Sequence, residues 1–343
     1  MRWNKLRWLV FGLILLLGLL SGVGSVQAAS PTAATGFVLT PLLPKNQLDK
    51  QAGYFNLQLT PGTTQTLSVA VSNPSKSPVT IRVTPVNATT ADTGNVVYVP
   101  SDRSDPSATT TFTQMTTAGV TVNLAAHQAK NVSFKVTIPK NGFKGEVLGG
   151  LFATNTASST TKNKSNQGFV LKNRYAEVTA VALWSQSRQP VPIKLDLANV
   201  KVNTQNEQPV VVAKIRNLAP TLFGQLKLQS RVTQVKTGTT VATQQLKSGS
   251  VAPNSWFNYQ VALGTQRLAA GQYRLNLHLT SGQKVWNFQQ NFQLTAHRAQ
   301  QHNQHLVGPR RINWWLWAVV AVVILLALLV TAYWFGQRRS RKG

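Results

Sequence analysis

Gln65-Thr66-Leu67-Ser68-Val69-Ala70-Val71-Ser72, followed at once by Asn73-Pro74-Ser75, is the stretch that decides the fold. Leu67, Val69 and Val71 fall at a period of two, with small or hydroxylated residues between them. That spacing puts them on one face of a half-buried strand, and the Asn-Pro-Ser that follows is turn chemistry. Val79, Ile81 and Val83 repeat the pattern. So do Val132, Phe134, Val136 and Ile138. Far along the chain, Tyr273, Leu275, Leu277 and Leu279 alternate with Arg274, Asn276 and His278. The runs are separated by Thr60-Pro61-Gly62, Asn141-Gly142, Thr237-Gly238, Ala252-Pro253-Asn254 and Ser281-Gly282, all turn formers. No amphipathic helical pattern exceeds two turns. Many short antiparallel strands at this spacing predict an all-β chain built of sandwiches.

The chain has 343 residues, which suggests about two domains, and its hydrophobic fraction of 43% is enough for real cores. Gln189-Pro190-Val191-Pro192 is a stiff break, because two prolines interrupt sheet pairing. It sets a first sandwich at 37–187 and a second at 192–296. Ala157 to Gln167 has the composition of a linker. Strand candidates Glu146 to Thr154 and Tyr175 to Trp184 flank it, so it also reads as the loop of a hairpin within the first sandwich.

Two apolar segments lie outside the sandwiches. Arg2, Lys5 and Arg7 precede the apolar run Leu9 to Leu20, and Val26-Gln27-Ala28 offers small residues for cleavage. Residues 1–28 are therefore expected to be a signal peptide. Trp314 to Phe335 carries no charge and is flanked by Trp314, Trp315 and Trp317 on one side and Tyr333, Trp334 and Phe335 on the other. It is long enough for a transmembrane helix with interfacial aromatic belts. The basic tail 336–343 is expected in the cytoplasm, giving a single-pass type I protein of the cell membrane with an extracellular ectodomain. Residues 297–311 read as a polar stalk. No LPxTG motif for covalent wall attachment occurs.

The formal charge is +27, from 35 Lys and Arg against 8 Asp and Glu. Setting aside three basic residues in the leader and four in the tail leaves 28 against all eight acids, a net +20. Such a field favours polyanions. Export points to anionic wall polymers and acidic surface proteins, not nucleic acid. There is no cysteine, which removes thiol chemistry and Cys-based zinc sites.

Candidate chemistry is sparse. Asp102 and Asp105 share the loop Ser101-Asp102-Arg103-Ser104-Asp105-Pro106. They admit a calcium or paired-carboxylate reading, though capping of the local turn is the ordinary one. Glu146 and Glu177 sit on the proposed hairpin strands, with Lys144 and Arg174 in reach as surface partners. Register alone would say whether they face each other. His297, His302 and His305 lie in the expected stalk, where nothing preorganises a metal site. Trp184, Trp256 and Trp286 are either sugar-stacking platforms or core and junction residues. No G-x-S-x-G, P-loop or H-E-x-x-H motif occurs, so no enzyme, catalytic residue, cofactor or metal is expected.

The order of several short motifs is specific. It runs Phe37-Val38-Leu39-Thr40-Pro41-Leu42-Leu43-Pro44, Asn46-Gln47, Gly53-Tyr54-Phe55-Asn56-Leu57, Pro61-Gly62 and Gln65-Thr66-Leu67, then Gly149-Gly150-Leu151. It continues with Asn173-Arg174-Tyr175-Ala176, Ala252-Pro253-Asn254-Ser255 and Ala270-Gly271-Gln272-Tyr273 with Trp286 and Phe288. In this order the chain resembles the WxL-interacting protein family of Gram-positive surface proteins. The resemblance covers nearly the whole chain and implies two tandem immunoglobulin-like domains. It implies a first domain that binds peptidoglycan, a second that binds host matrix proteins, and WxL-domain surface proteins as partners. The family's own division would fall within 155–170. Asn56 stands where the family usually has Asp. Tyr54, Phe55 and Leu57 read as strand core, and Gly149-Gly150 as a close backbone approach or bulge. The expected function is a non-enzymatic cell-surface scaffold, with an adhesin for host matrix as the rival.

Overall fold

The computed structural model describes residues 36–156, 175–185, 191–306 and 319–330. The expected signal peptide at 1–28, the Ala157 to Gln167 segment, residues 307–311 and the tail 336–343 lie outside them, as do both ends of the 314–335 span.

The chain is all-β. In the first sandwich a three-stranded sheet has the order β1 (Val38–Leu42), β3 (Thr64–Ser72), β8 (Ala129–Thr137). Facing it is a five-stranded sheet. Its order is β2 (Phe55–Gln58), β10 (Ala176–Trp184), β9 (Glu146–Asn155), β4 (Val79–Asn87), β7 (Val120–Leu124). β2 joins β10 in parallel; the other neighbours are antiparallel. A two-strand ribbon, β5 (Thr89–Thr90) with β6 (Val96–Val97), and one helical turn, α1 (Phe112–Met115), lie between β4 and β7.

The period-two pattern does what it should. Leu67, Val69 and Val71 are fully buried and meet Phe134, Val136, Ile81, Val83, Leu151 and Val181. β9 departs from it: residues 146–151 are all buried. Its second face is covered, because Phe112 lies over Gly149. A Cβ there would fall 2.4 Å from the Phe112 ring, which is why this position has none.

The second sandwich repeats the plan. β11 (Leu195–Gln205), β12 (Gln208–Asn217) and β15 (Ser255–Ala262) form one sheet. β14 (Thr240–Leu246), β13 (Lys227–Gln234), β16 (Gly271–Ser281) and β17 (Lys284–Leu294) form the other, in that order. All its pairings are antiparallel. Three strands against four or five, with this connectivity, is the strand arrangement of an immunoglobulin-type sandwich. Val211, Ile215, Phe257, Val261, Leu228, Val232, Leu275 and Leu279 fill the core, and the Tyr273 hydroxyl donates to the Ala269 carbonyl at 2.8 Å.

The same polar device occurs once in each sandwich. Asn73 ends β3 and Asn217 ends β12, and both side chains are buried. The Asn73 amide donates to the carbonyls of Ser77 and Ala125, each at 2.8 Å, and its oxygen accepts from Ser75 N–H. The Asn217 amide donates to Thr221 and Ala252 at 2.9 and 3.0 Å, and its oxygen accepts from Ala219 N–H. The loop partner has left-handed backbone in each case, His127 with φ 56° and Asn254 with φ 45°. His127 N–H donates to Ser75 and Asn254 N–H to Ala219, two residues past each asparagine. Each side chain thus satisfies backbone groups that a turn at the end of a buried strand leaves open.

The expected polar stalk at 297–311 is corrected over its first part. Residues Ala296–His305 form helix α2, capped by Thr295 Oγ1, which accepts from Arg298 N–H. The helix packs on the second sandwich, burying Ala299 and His302. Asn303 clips it there through Leu268, accepting from its N–H at 2.8 Å and donating to its carbonyl at 2.9 Å. Two small or flat side chains one turn apart suffice to seat a helix that is otherwise polar, and that pattern is too sparse to read from sequence. Residues 319–330, within the expected span, are helical (α3), and the side chains of Val319 to Val330 are exposed. Among the described residues no helix is long and apolar enough to cross a membrane.

Candidate functional site: the junction of the two sandwiches

The segment from Ala88 to Thr111, between β4 and α1, lies against the β12–β15 side of the second sandwich. Thr90, fully buried, shares a 2.6 Å hydrogen bond with Ser255 and accepts from Ala252 N–H at 3.0 Å. Ser250 N–H donates to the Gly94 carbonyl, and Val96 N–H to Ser250 Oγ. Glu146 N–H donates to the Pro220 carbonyl at 2.8 Å. Two of these, Ser250–Gly94 and Glu146–Pro220, are backbone-to-backbone links of the sort found inside a domain.

The charged groups add to them. Asp105 accepts from Arg216 Nε and Nη2, both at 2.8 Å, and from Ser107 N–H and Oγ at 2.9 and 2.7 Å. Burial pushes the Asp105 carboxyl up, but the guanidinium and the Ser107 donors outweigh it and hold the group at about 2. Asp92 accepts from Arg103 Nη1 at 2.8 Å and from Asn258 N–H at 3.0 Å. Burial opposes its ionisation, and these donors leave it below the usual carboxylate range. The Trp256 ring is covered by Arg103 at 4.7 Å and Lys214 at 4.0 Å, while its Nε1 donates to the Ser104 carbonyl at 3.0 Å. Glu146 accepts from Leu222 N–H at 3.2 Å, and burial raises its carboxyl. The neighbouring Tyr98 hydroxyl is pushed up to about 12, by burial and then by Glu146.

The cleft left in this junction, lined by Asn87, Asp105, Glu146, Leu148, Asn254 and Trp256 among others, encloses about 60 Å³. Small-molecule pockets run roughly 300–1,000 Å³. The junction is therefore a packed contact of hydrogen bonds and ion pairs between the two sandwiches.

The sequence candidates distribute accordingly. Asp105 caps its turn, as the ordinary reading holds, and also makes an ion pair that the sequence did not suggest. Asp102 lies apart, and no group of three His, Asp or Glu able to hold a metal is found among the described residues. Glu146 is not the surface residue expected, and the expected Glu177–Arg174 contact falls on a residue outside the described ones. β9 pairs antiparallel with β10, but Glu146 sits opposite Trp184 and Glu177 opposite Ala153, so the two carboxylates are far apart in register. Glu146 is buried in the junction, and Glu177 accepts from Leu39 N–H at 2.6 Å. Lys144 is exposed, and Arg174 lies outside the described residues. Of the three tryptophans, Trp184 is buried, Trp256 is covered by two cations, and Trp286 packs at 6.3 Å on Phe223. None offers an open ring to a sugar. Phe55 and Leu57 are core and Tyr54 is exposed. Asn56 is buried, and its Oδ1 finds no partner among the described residues. His297 is exposed on α2 and His302 is buried, its Nε2 at 3.1 Å from the Gln266 carbonyl. His305 falls in the last turn of the helix.

Two β-sandwiches meet at a tightly packed, charged junction. The chain belongs to the WxL Interacting Protein family. Residues 37–155 match the family's peptidoglycan binding domain and residues 166–304 its host binding domain. The boundary between these matches falls before β10, although β10 pairs into the first sandwich. A cell-surface binding role follows. No curated protein matches the chain. Among solved structures it is similar to a chain of the chaperone–tip adhesin complex of CFA/I fimbriae (11% identity, TM-score 0.27, covering 74% of this chain and 97% of that one). It is similar also to the class 5 fimbriae chaperone CfaA (12%, 0.27, 74% and 98%) and to a PapD-like domain of human CEP192 (10%, 0.26, 48% and 94%). No functional reading rests on likenesses of this strength.

Proposed function

We propose that this protein is a non-enzymatic scaffold of the Gram-positive cell surface that binds peptidoglycan and holds WxL-domain proteins at the wall. The observation that carries the reading is the succession of a peptidoglycan binding and a host binding domain along one chain, joined by the Asp105–Arg216 junction. Residues 1–28 direct export, and the 314–335 segment holds the chain in the membrane with residues 336–343 in the cytoplasm. The +20 charge of the region between leader and tail strengthens attachment to anionic wall polymers and makes it salt-sensitive.

The test is a pulldown of the full-length protein on purified cell walls, with and without teichoic acid, across a salt series and with a WxL-domain protein added. Retention that weakens with salt, together with recovery of the WxL-domain protein, is the expected result. No retention on walls of either kind contradicts it. Protease added to cells stripped of their wall should digest everything outside the membrane segment; protection of the sandwiches would overturn the topology. The second reading is an adhesin for host matrix proteins, favoured by the host binding match over 166–304. Binding of the full-length protein to matrix proteins with no retention on walls would select it.

A further inference from the structure

The outer face of the β14-β13-β16-β17 sheet is unlike the rest of the molecule. Its pairing sets side chains in cross-strand rows. One row is Gln245, Gln229, His278 and Asn287; the next is Thr243, Arg231, Asn276 and Gln289; a third holds Thr233, Arg274 and Asn291. Every one of these side chains can hydrogen-bond, and none is acidic. The second sandwich has only Asp196 and Glu207 as acids, and both belong to the opposite sheet or its turn. A groove of about 840 Å³ runs over the face.

Arg231 lines this groove, and the guanidinium of Arg274, on the same face beside it, is prepositioned. Arg274 Nε donates to Asn291 Oδ1 at 2.9 Å. With the Gln289 carboxamide turned oxygen-inward, its oxygen accepts from Arg274 Nε and Nη1 at 2.9 and 3.0 Å. Arg231 is exposed and makes no side-chain hydrogen bond or ion pair among the described residues. Being opposite Asn276, it is the diagonal neighbour of Arg274. Diagonal neighbours are about 7–8 Å apart, within reach of long side chains.

We propose that this face binds a uronate-bearing extracellular polysaccharide of the glycosaminoglycan type. The inference rests on the host binding reading of this domain and names its ligand. Amide side chains both donate and accept, as sugar hydroxyls do, and a guanidinium takes a carboxylate through two parallel N–H groups. Six amides around two arginines match a polymer with many hydroxyls and a carboxylate at intervals. A phosphate polymer calls for denser cations. A protein partner calls for an apolar anchor at the centre of the patch, and here the exposed aliphatic side chains, Val285 and Val235, lie at its two ends.

The test uses the full-length protein on immobilised hyaluronan, with neutral dextran and purified wall teichoic acid as comparators and a matrix protein surface in parallel. Hyaluronan should be bound and dextran should not. R231Q/R274Q should weaken hyaluronan binding by about tenfold or more, whereas K76Q/K201Q, which removes equal charge elsewhere, should change it by no more than about twofold. Equal loss in both double variants would reduce the effect to net charge and overturn the proposal. So would absence of hyaluronan binding, or teichoic acid binding that R231Q/R274Q abolishes preferentially. Matrix protein bound without hyaluronan defeats this inference alone; neither bound defeats the host binding reading beneath it.

Discussion

Asp105 of the first sandwich and Arg216 of the second meet in a bidentate pair, both contacts at 2.8 Å, across 111 residues of sequence. Asp105 is fully covered, whereas Arg216 keeps about a quarter of its side chain exposed. Removing the cation strands a buried carboxylate. Arg216→Ala should therefore destabilise the protein by about 3 kcal/mol, and adding Asp105→Ala should restore part of that loss. Urea unfolding of the two variants measures it.

The same pair sets a response to acid. Asp105 titrates at about 2 when folded and near 3.9 when unfolded, so its contribution is complete above the unfolded value. It is lost as pH falls through about 2, and its size is on the order of 2 kcal/mol. Stability measured from pH 5 to pH 2 should decline, and Asp105→Asn should flatten that decline.

Glu146 has the opposite sign. Burial raises its carboxyl, so the folded state prefers the protonated form. Stability is favoured below the unfolded value and falls as pH rises through the raised one. Glu146→Gln keeps an oxygen for the Leu222 N–H and removes the charge. Its melting temperature should exceed that of the parent at pH 8 and equal it at pH 4.

The junction was not legible in the sequence, and the strands were. Leu67, Val69 and Val71 announce their strand because alternate burial writes itself as alternate hydrophobicity. β9 hides its second buried face, since Gly149 gives Phe112 room by lacking a side chain. Asp105 and Arg216 look like any turn acid and strand cation until the chain is folded. Trp256 reads from sequence as a sugar platform or a junction residue, and it lies in the joint. On the sugar face, Arg231 and Arg274 read as ordinary solvent-side residues of alternating strands, and only the register brings them together.

Two glycines separate backbone strain from packing in the joint. Gly145 and Gly238 share φ +71°, but a Cβ on Gly145 would fall 2.2 Å from the Pro220 carbonyl oxygen, whereas Gly238 has nothing within 4 Å. Gly238→Ala should cost about 1–2 kcal/mol, the left-handed penalty alone. Gly145→Ala should cost more and should loosen the domain arrangement. Thermal melts of the two variants check the first statement, and X-ray scattering of Gly145→Ala the second.

The chain contains no cysteine, so two introduced thiols can be spin-labelled uniquely, one at Thr66 on β3 and one at Lys236 beyond β13. Pulsed dipolar spectroscopy of this full-length double variant should give a single narrow distance distribution, broadened when Arg216→Ala is added. A broad distribution with Arg216 intact would contradict a fixed joint between the two binding domains.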